Sequence, residues 1–456
     1  MGVATPIRTR GHLLRILGVG FGVAVSVGAM VGSGILRTPG EVVAHWDRPW
    51  PVFALWLLGG VYTLLSCSSL LELGTMFPNA GGWYVYSRHT FGDYGGFLAG
   101  CCDWMVETVA TAYLAVALAE FAAGLQPALA GRVKGVALAS LAALGLLNWL
   151  GLRAGSRTQE LTSLVKALAL VALVLACFRF PAATQSPPSL VLSNSVEHKE
   201  SLLLAFVLSM QAVIITYDGW YAPIYFTEED KNPCRNLPRS MIGGVVSSTV
   251  IFLLMNAALL HVLPIGQLAG SQVPAADAAM LVFGSHGKQI ILIISIVTVV
   301  STINATLLMG PRVLFGMGRD GLAPGWAASV NPGGTPSGAL LLTVLTSAVL
   351  ILSGSFDSLI AIASFFMLAV HISGFAALLV LRRRRADLPR PYKVWFYPWT
   401  PLAVLVVSAV LFVLFAIEDL GHSLVTLLLI ALSYPVYVVA VKRRMQRRLS
   451  ISSSSE

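Results

Sequence analysis

The residues that decide how this chain is interpreted are Gly28-Ala29-Met30-Val31-Gly32-Ser33-Gly34-Ile35. They lie inside the first long apolar segment and put three glycines and a serine at a depth where a spanning helix keeps its backbone paired. Glycine in a helix costs about 1 kcal/mol relative to alanine. One explanation is close helix packing, since Gly28-xxx-Gly32 fits the small-xxx-small pattern. The other is a helix broken in mid-membrane, whose freed amides bind a carboxylate.

A second interruption lies in the sixth apolar segment, where Thr216-Tyr217-Asp218-Gly219-Trp220 sets an acid and a glycine in the middle. Paired interruptions of this kind are typical of a midplane binding site between inverted repeats. An acid in hydrocarbon costs at least about 2–3 kcal/mol unless it faces a polar cavity or a partner, so we expect Asp218 to point inward. Capping of the second half-helix by Asp218 remains an alternative, and the two roles are compatible.

Composition places the whole chain in a membrane. Hydrophobic residues make up 56% and charged residues 11% of the 456 residues, and the mean hydropathy is +0.78. The net charge of +9 does not indicate nucleic acid, because the basic residues lie at the ends of apolar runs. The five cysteines have neither zinc spacing nor an even extracellular set, so we interpret them as packing residues in a reduced setting. We expect no metal and no cofactor.

Hydropathy predicts twelve membrane-spanning helices, and the first apolar run is expected to be retained as the first of them. The predicted segments lie near 13–44, 50–74, 91–125, 133–151, 158–178, 201–227, 241–263, 288–316, 338–354, 357–381, 398–417 and 422–441. Lysine and arginine concentrate at the amino terminus and in the even-numbered loops, most strongly at Arg382 to Arg385 and Lys442-Arg443-Arg444. By the positive-inside rule both termini are expected in the cytoplasm.

Several motifs then occur in order along the chain. After the first-span Gly32-Ser33-Gly34-Ile35 they are Pro78-Asn79-Ala80-Gly81-Gly82-Trp83-Tyr84-Val85-Tyr86, the stretch from Thr227-Glu228-Glu229 to Pro238, and Arg312 to Gly321. Together they resemble the amino acid–polyamine–organocation transporters, close to the bacterial relatives of the L-type amino acid transporters. The resemblance covers the chain from Gly28 to about Pro324.

The resemblance implies an all-α integral membrane protein of the LeuT-like fold, with two inverted five-helix repeats and two trailing helices. The corresponding divisions are a cytoplasmic segment 1–12, repeats at 13–178 and 201–381 separated by an extracytoplasmic loop 179–200, a basic cytoplasmic loop 382–397, helices 11 and 12 in 398–441, and a tail 442–456. It also implies a substrate held between the first and sixth spans. The expected binding residues are Ala29, Val31, Gly32, Ser33, Gly34, Tyr217, Asp218, Gly219 and Trp220.

Lys166 stands in the predicted fifth span, where a lysine is unfavourable unless it is paired. In the sodium-independent members that this chain resembles, a lysine at the matching place replaces the sodium ion and braces the first span against the eighth. The alternative is a lysine that reaches the cytoplasmic surface, since Arg157 is about two and a half turns away. The eighth-span hydroxyls, among them Ser301 and Thr302, either line a cation site or bond back to their own helix.

Glu107 in the third span lies at a place resembling the acid that some cationic members use near the substrate. The match is incomplete, because Cys101-Cys102 stand where the family commonly has a Gly-Trp pair. His371, like His89 and His261, is interpreted as a packing residue at a span end or in a loop.

The sequence therefore predicts a transporter that moves amino acids or related amines by alternating access, with membrane lipid as its other partner. Sodium-independent exchange or facilitated transport of neutral amino acids is favoured, and a carrier of cationic amino acids or polyamines, by exchange or proton coupling, is the alternative. An integral-membrane enzyme would need a convergent nucleophile and base, which no spacing in the sequence indicates. A non-transporting amino acid sensor on the same fold remains open.

Overall fold

The protein is described by a computed structural model that covers residues 12–182, 201–353, 356–418 and 420–453. Each of the twelve predicted apolar segments contains a helix. The α-helices are α1 Val19–Met30, α2 Gly34–Val43, α3 Pro49–Met76, α4 Trp83–Leu125, α5 Val133–Trp149, α6 Leu152–Arg179, α7 Leu202–Thr216, α8 Pro233–Val262, α9 Ile265–Ala269, α10 Pro274–Phe283, α11 Gly287–Arg319, α12 Ser337–Ser353, α13 Phe356–Arg384, α14 Trp399–Glu418 and α15 Leu420–Ser453. In these ranges the β-structure is one isolated bridge between Leu17 and Asp230.

Helix length and composition support a multi-pass membrane protein. Within the described ranges, eight helices are long and apolar enough to cross a membrane, and the bent pair α1 and α2 makes a ninth. Three shorter apolar helices lie at Leu202–Thr216, Ser337–Ser353 and Ser423–Val439. The connection between α8 and α11 contains the short helices α9 and α10, while most of the predicted loop 179–200 lies outside the described residues.

Proline and glycine mark where the long helices begin and bend. Proline occupies the first turn of α3, α8 and α10, where its missing amide proton leaves no helical bond unmade. Helix α4 begins at Trp83, eight residues earlier than the predicted segment, and is kinked at Gly92, which has φ 81°. Hydropathy missed this first stretch because it carries Arg88 and His89 beside its aromatic residues.

Both predicted interruptions are present. Helix α1 ends at Met30 and α2 begins at Gly34, with a bend of 48° between them. Helix α7 ends at Thr216, and a 3₁₀-helix follows at Ala222–Phe226. Gly219 between them has φ +96°, a backbone conformation that favours glycine.

The helices pack in two neighbouring groups. Helices α1 and α3 lie along α8, whereas α4 lies along α11 and α13. Helix α6 touches both groups through α1, α8 and α11, and the 3₁₀-helix Ala222–Phe226 contacts α1, α8 and α11. The two broken segments therefore lie where the groups meet.

Glu72 on α3 anchors the loop that follows α13. Its carboxylate is fully buried and accepts hydrogen bonds from Arg382 Nε and Nη2, each at 2.6 Å, from Arg390 Nε at 3.1 Å and from the Val394 amide at 2.8 Å. At least one arginine of the run predicted as a topology signal therefore also has a structural role. Arg382 and Arg390 hold the end of α13 and the loop after it against α3.

Replacing Glu72 with alanine should destabilise the protein strongly, because two arginines would lose their buried anion. Removing one partner of a buried ion pair costs about 3–5 kcal/mol. Denaturant titration of the purified protein in detergent, followed by tryptophan fluorescence, measures the loss. Asp387→Ala is the matched control, since Asp387 is exposed and pairs loosely with Arg385 at 3.5 Å. Equal stability of the two variants would contradict an anchoring role for Glu72.

Candidate functional site

The two broken segments lie directly against each other. A Cβ at Gly219 would come within 2.7 Å of the Ala29 Cβ, and one at Gly34 within 3.2 Å of Thr216 Cγ2. The Ser26 hydroxyl donates to the Trp220 carbonyl at 3.4 Å. Gly219 is thus required by close approach as well as by its positive φ, and the breaks form one site.

Gly28 and Gly32 have different surroundings, which separates the two explanations of the glycine cluster. A Cβ at Gly28 would collide with Gln159 Nε2 at 2.0 Å and with Ser163 Oγ at 2.6 Å, so Gly28 allows α6 to pack closely on α1. A Cβ at Gly32 would meet only the Gly34 amide nitrogen, at 4.0 Å. Gly28 is therefore a packing glycine, whereas Gly32 faces open space at the break.

The amides at the break are partly occupied. The Val31 amide donates to Val27 O at 2.9 Å and the Gly32 amide to Met30 O at 2.8 Å. In this structure these two amides are therefore bonded within the first broken segment. The remaining donors are the amides that open α2, at Ser33, Gly34 and Ile35, because the first amides of a helix have no partner inside it. The helix dipole adds partial positive charge at the same place.

Lys166 on α6 binds the end of α1. Its ammonium donates to Gly28 O and to Val31 O, both at 2.8 Å, and its side chain is fully buried. A lysine that reaches the membrane surface is therefore excluded. The carbonyls at the end of a helix lack helical partners and carry partial negative charge, so a cation is favoured there.

The eighth-span hydroxyls join the same region. The Thr302 hydroxyl on α11 bonds back to its own helix at Thr298 O, at 3.1 Å, and also lies 3.3 Å from Gly28 O at the end of α1. Ser163 donates to Ala24 O at 2.7 Å and lies 3.3 Å from Ser301. Helices α6 and α11 thus hold the last turns of α1 through side chains.

Asp218 points into the interior as expected. The Tyr221 hydroxyl donates to its Oδ2 at 3.4 Å, and the Gly219 amide also hydrogen-bonds to the carboxylate. Its side chain is 26% exposed, so it keeps room for another partner. Both expected roles, capping the following turn and facing a cavity, fit these contacts.

Glu107 lies on α4 and is 2% exposed. Its carboxyl group is close enough to Asp218 and to Asp103, one turn away on the same helix, to interact electrostatically with both. A Cβ at Gly310 of α11 would lie 3.1 Å from the Glu107 Cβ. Glu107 therefore belongs to the surroundings of the broken segments.

The side chains of Tyr217 and Trp220 point away from each other's surroundings and contact different helices. The Tyr217 ring packs on Trp56 and Phe252, and its hydroxyl donates to Trp56 O at 2.9 Å, so the side chain reaches α3 instead of the break. The Trp220 ring packs against Trp83, at 6.1 Å between centroids, and stacks with Phe375.

Sequence reasoning missed His371. It lies in the middle of α13, not at a span end, and packs on Trp83 with 5.0 Å between ring centroids. Its Nε2 lies 3.8 Å from Asp218 Oδ1 and has no hydrogen-bond partner among the described residues. No spacing in the sequence connects a histidine near the carboxyl end of the chain with the sixth span, so only the fold could identify it. The aromatic cluster, as named here, consists of Trp83, Trp220, Tyr221, His371 and Phe375.

The later motifs meet at the end of the bundle where α1 begins. The base cluster, as named here, comprises Glu228, Glu229, Arg312, Arg319 and the loop Asn79–Ala80. Arg312 binds the Glu229 carboxylate with Nε–Oε2 at 2.5 Å and Nη2–Oε1 at 2.9 Å, and both side chains are buried. Glu228 accepts from Arg319 at 2.7 Å and from the Ala80 amide at 2.9 Å. These contacts close this end of the bundle beneath the aromatic cluster.

A fold built of apolar helices around two broken segments is that of a multi-pass integral membrane protein. Residues 22–441 match the family model described as amino acid permease, and the chain belongs to that family. It is accordingly an amino acid transporter of the amino acid–polyamine–organocation superfamily and not an enzyme, as the sequence predicted.

Individual relatives agree with this assignment. The chain is 29% identical to the serine/threonine exchanger SteT of Bacillus subtilis (strain 168), over 95% of this chain and 98% of the relative. It is 27% identical to the b(0,+)-type amino acid transporter 1 of Mus musculus, over 89% and 83% of the two chains. It is 28% identical to the Asc-type amino acid transporter 1 of Mus musculus, over 91% and 79%.

Gly32→Val should abolish amino acid uptake while leaving the protein folded. The valine fits the open space at Gly32 but covers the amides that open α2. Loss of two hydrogen bonds to a charged group costs about 3 kcal/mol or more, which lowers affinity about a hundredfold. Uptake of radiolabelled amino acids into proteoliposomes and thermal melting of the same sample provide the two readouts. Gly20→Val, on the same helix with nothing within 4 Å, is the control. Uptake by Gly32→Val at the wild-type rate would contradict a carboxylate site at the amides that open α2.

Proposed function

We propose that this chain is a sodium-independent amino acid carrier that works by alternating access, as an exchanger or facilitator, and favours neutral amino acids. Its substrate binds between the broken segments, with the carboxylate on the amides of Ser33, Gly34 and Ile35 and the α-ammonium near Asp218. Charge-assisted hydrogen bonds at both ends make the site specific for the amino acid group.

The observation that carries the proposal is that the Lys166 ammonium donates hydrogen bonds to Gly28 O and Val31 O. Unpaired carbonyls at the end of a broken helix are the groups that coordinate sodium in discontinuous-helix transporters. In this chain a covalently attached cation holds the same carbonyls at 2.8 Å, and Thr302 reaches Gly28 O from α11. The first helix is therefore braced without a dissolved ion.

The proposed topology has twelve spans, two inverted five-helix repeats at 13–178 and 201–381, and both termini in the cytoplasm. The division into repeats is supported by the positions of the two interruptions, in the first and sixth apolar segments. In this topology the base cluster faces the cytoplasm and must open for release on that side. Its ion pairs join the segment after α7 to α11, so they separate when the two helix groups part.

The preference for neutral substrates rests on how the acids are exposed. Asp218 is the acid of this site with a substantial exposed fraction, 26% of its side chain, whereas Glu107 is 2% exposed. Every amino acid carries an α-ammonium group, so one accessible acid does not require a basic side chain. The serine/threonine specificity in the name of the Bacillus relative accords with this preference.

A carrier of cationic amino acids or polyamines, by exchange or proton coupling, is the second candidate. It is favoured by the proximity of Glu107 to Asp218, because neither forms an ion pair with lysine or arginine in the described residues. A second positive charge on the substrate would compensate both acids. The b(0,+)-type relatives leave this candidate open.

Uptake should be unchanged when choline replaces sodium in the buffer, because Lys166 occupies the position of the ion. Lys166→Ala should slow transport about tenfold, a barrier change of roughly 1.4 kcal/mol, without removing substrate binding. Initial uptake rates and equilibrium binding to detergent-solubilised protein separate the two effects. Lys134→Ala is the control, since Lys134 also donates to a carbonyl but is exposed. Strong sodium dependence of the wild-type protein would refute the proposed role of Lys166.

Competition among amino acids separates the two substrate classes. Neutral amino acids should compete for uptake more effectively than arginine, lysine or a polyamine, and Glu107→Gln should preserve that order because the α-ammonium group meets Asp218. The measurement is inhibition of labelled uptake by a panel of unlabelled compounds. Uptake restricted to basic compounds in the wild type, and lost in Glu107→Gln, would establish the cationic candidate instead.

A further inference from the structure

We infer that Asp103 is a proton-binding site whose occupancy depends on whether the base of the bundle is closed. The inference rests on the proposed carrier and its substrate site, and it makes entry of the amino acid proton-coupled, where exchange or facilitation alone would move no proton. Asp103 lies on α4, one turn from Glu107, and bonds to Tyr225, three residues before Glu228 of the base cluster.

The Asp103 carboxyl group is buried and incompletely paired. It is 2% exposed; Oδ1 accepts from the Tyr225 hydroxyl at 2.6 Å, while Oδ2 is buried without a hydrogen-bond partner. It forms no ion pair with any residue of the described ranges. A carboxylate in such a place is strongly unfavourable, whereas a protonated carboxyl group is tolerated.

The groups around Asp103 offer no compensating charge. Tyr86, Cys102 and Glu107 approach it from α4, and Tyr221 and Tyr225 from the turn after α7. Among the described residues of the helices packed against α4, Arg312 and Arg319 of α11 bind Glu229 and Glu228, Arg382 of α13 binds Glu72 of α3, and His371 of α13 lies beside Asp218. The arginines are engaged by other acids, so a proton is the cation left for Asp103.

The Asp103–Tyr225 bond crosses the boundary between the two helix groups. Asp103 belongs to α4, which lies along α11, whereas Tyr225 belongs to the 3₁₀-helix Ala222–Phe226, which also contacts α1 and α8. Two residues after that helix, Glu228 and Glu229 bind Arg319 and Arg312. When the ion pairs of the base cluster separate, the segment that carries Tyr225 is therefore displaced from Asp103.

Opening has a defined consequence for the proton. When Tyr225 leaves and cytoplasmic water reaches Oδ2, the O–H bond of the carboxyl group breaks, the carboxylate keeps the electron pair and the proton passes to that water. Reclosure requires a new proton, which arrives from the side of the substrate site, where Glu107 is close enough to interact electrostatically with both Asp103 and Asp218. One proton thus enters the cytoplasm for each cycle in which the base opens after loading from outside.

Proton entry into liposomes tests the inference. Purified protein is reconstituted at equal internal and external pH with a pH-sensitive dye inside, and a transported amino acid is added outside. The wild type should acidify the interior as the amino acid enters. Asp103→Asn, which keeps an acceptor for Tyr225 but holds no exchangeable carboxyl proton, should retain exchange of labelled for unlabelled amino acid and lose acidification at least about tenfold.

A matched control makes the result interpretable. Asp387→Asn, which changes an exposed acid in the loop after α13, should behave as the wild type. Amino acid uptake by the wild type without acidification, or acidification by Asp103→Asn at the wild-type rate, would overturn the inference while leaving the carrier intact. Absence of both uptake and exchange in the wild type would instead refute the proposed function, and the proton site with it.

Discussion

The constraint on which this structure depends is that backbone groups in a membrane must find partners. Breaking α1 between Met30 and Gly34 frees carbonyls at the end of one half-helix and amides at the start of the next. The Lys166 ammonium satisfies two of the carbonyls, at Gly28 and Val31, from outside the helix. The amides that open α2 lie on the other side of the same break, where we propose that the substrate carboxylate binds.

The second break completes the site because it approaches the first without intervening side chains. Gly219 lies against Ala29, and the turn that follows brings Asp218 to the same interior. The chain then continues through Tyr225 to the ion pairs of Glu228 and Glu229. A change at the substrate site is therefore connected, along about ten residues of backbone, to the closure at the base.

Much of this arrangement was predictable from the sequence, for physical reasons. Long apolar runs predicted all twelve helical segments. The glycines and Asp218 located both breaks, because glycine and an unpaired acid are unfavourable in a continuous spanning helix. What could not be predicted depends on tertiary contacts. No periodicity or spacing indicates that the Val31 and Gly32 amides bond within the chain, or that Tyr217 points toward α3. The same holds for the approach of His371 to Asp218 and for the pairing of Glu72 with Arg382.

The central claim is that a carboxylate binds the amides that open α2. Hydrogen–deuterium exchange of the purified protein tests it directly, with a transported L-amino acid and with the amine formed by its decarboxylation. The amino acid should slow exchange in the peptide covering residues 31–37 and in the peptide around Asp218, whereas the amine should slow it only around Asp218. Equal protection of residues 31–37 by the amine, or no protection there by the amino acid, would contradict the account.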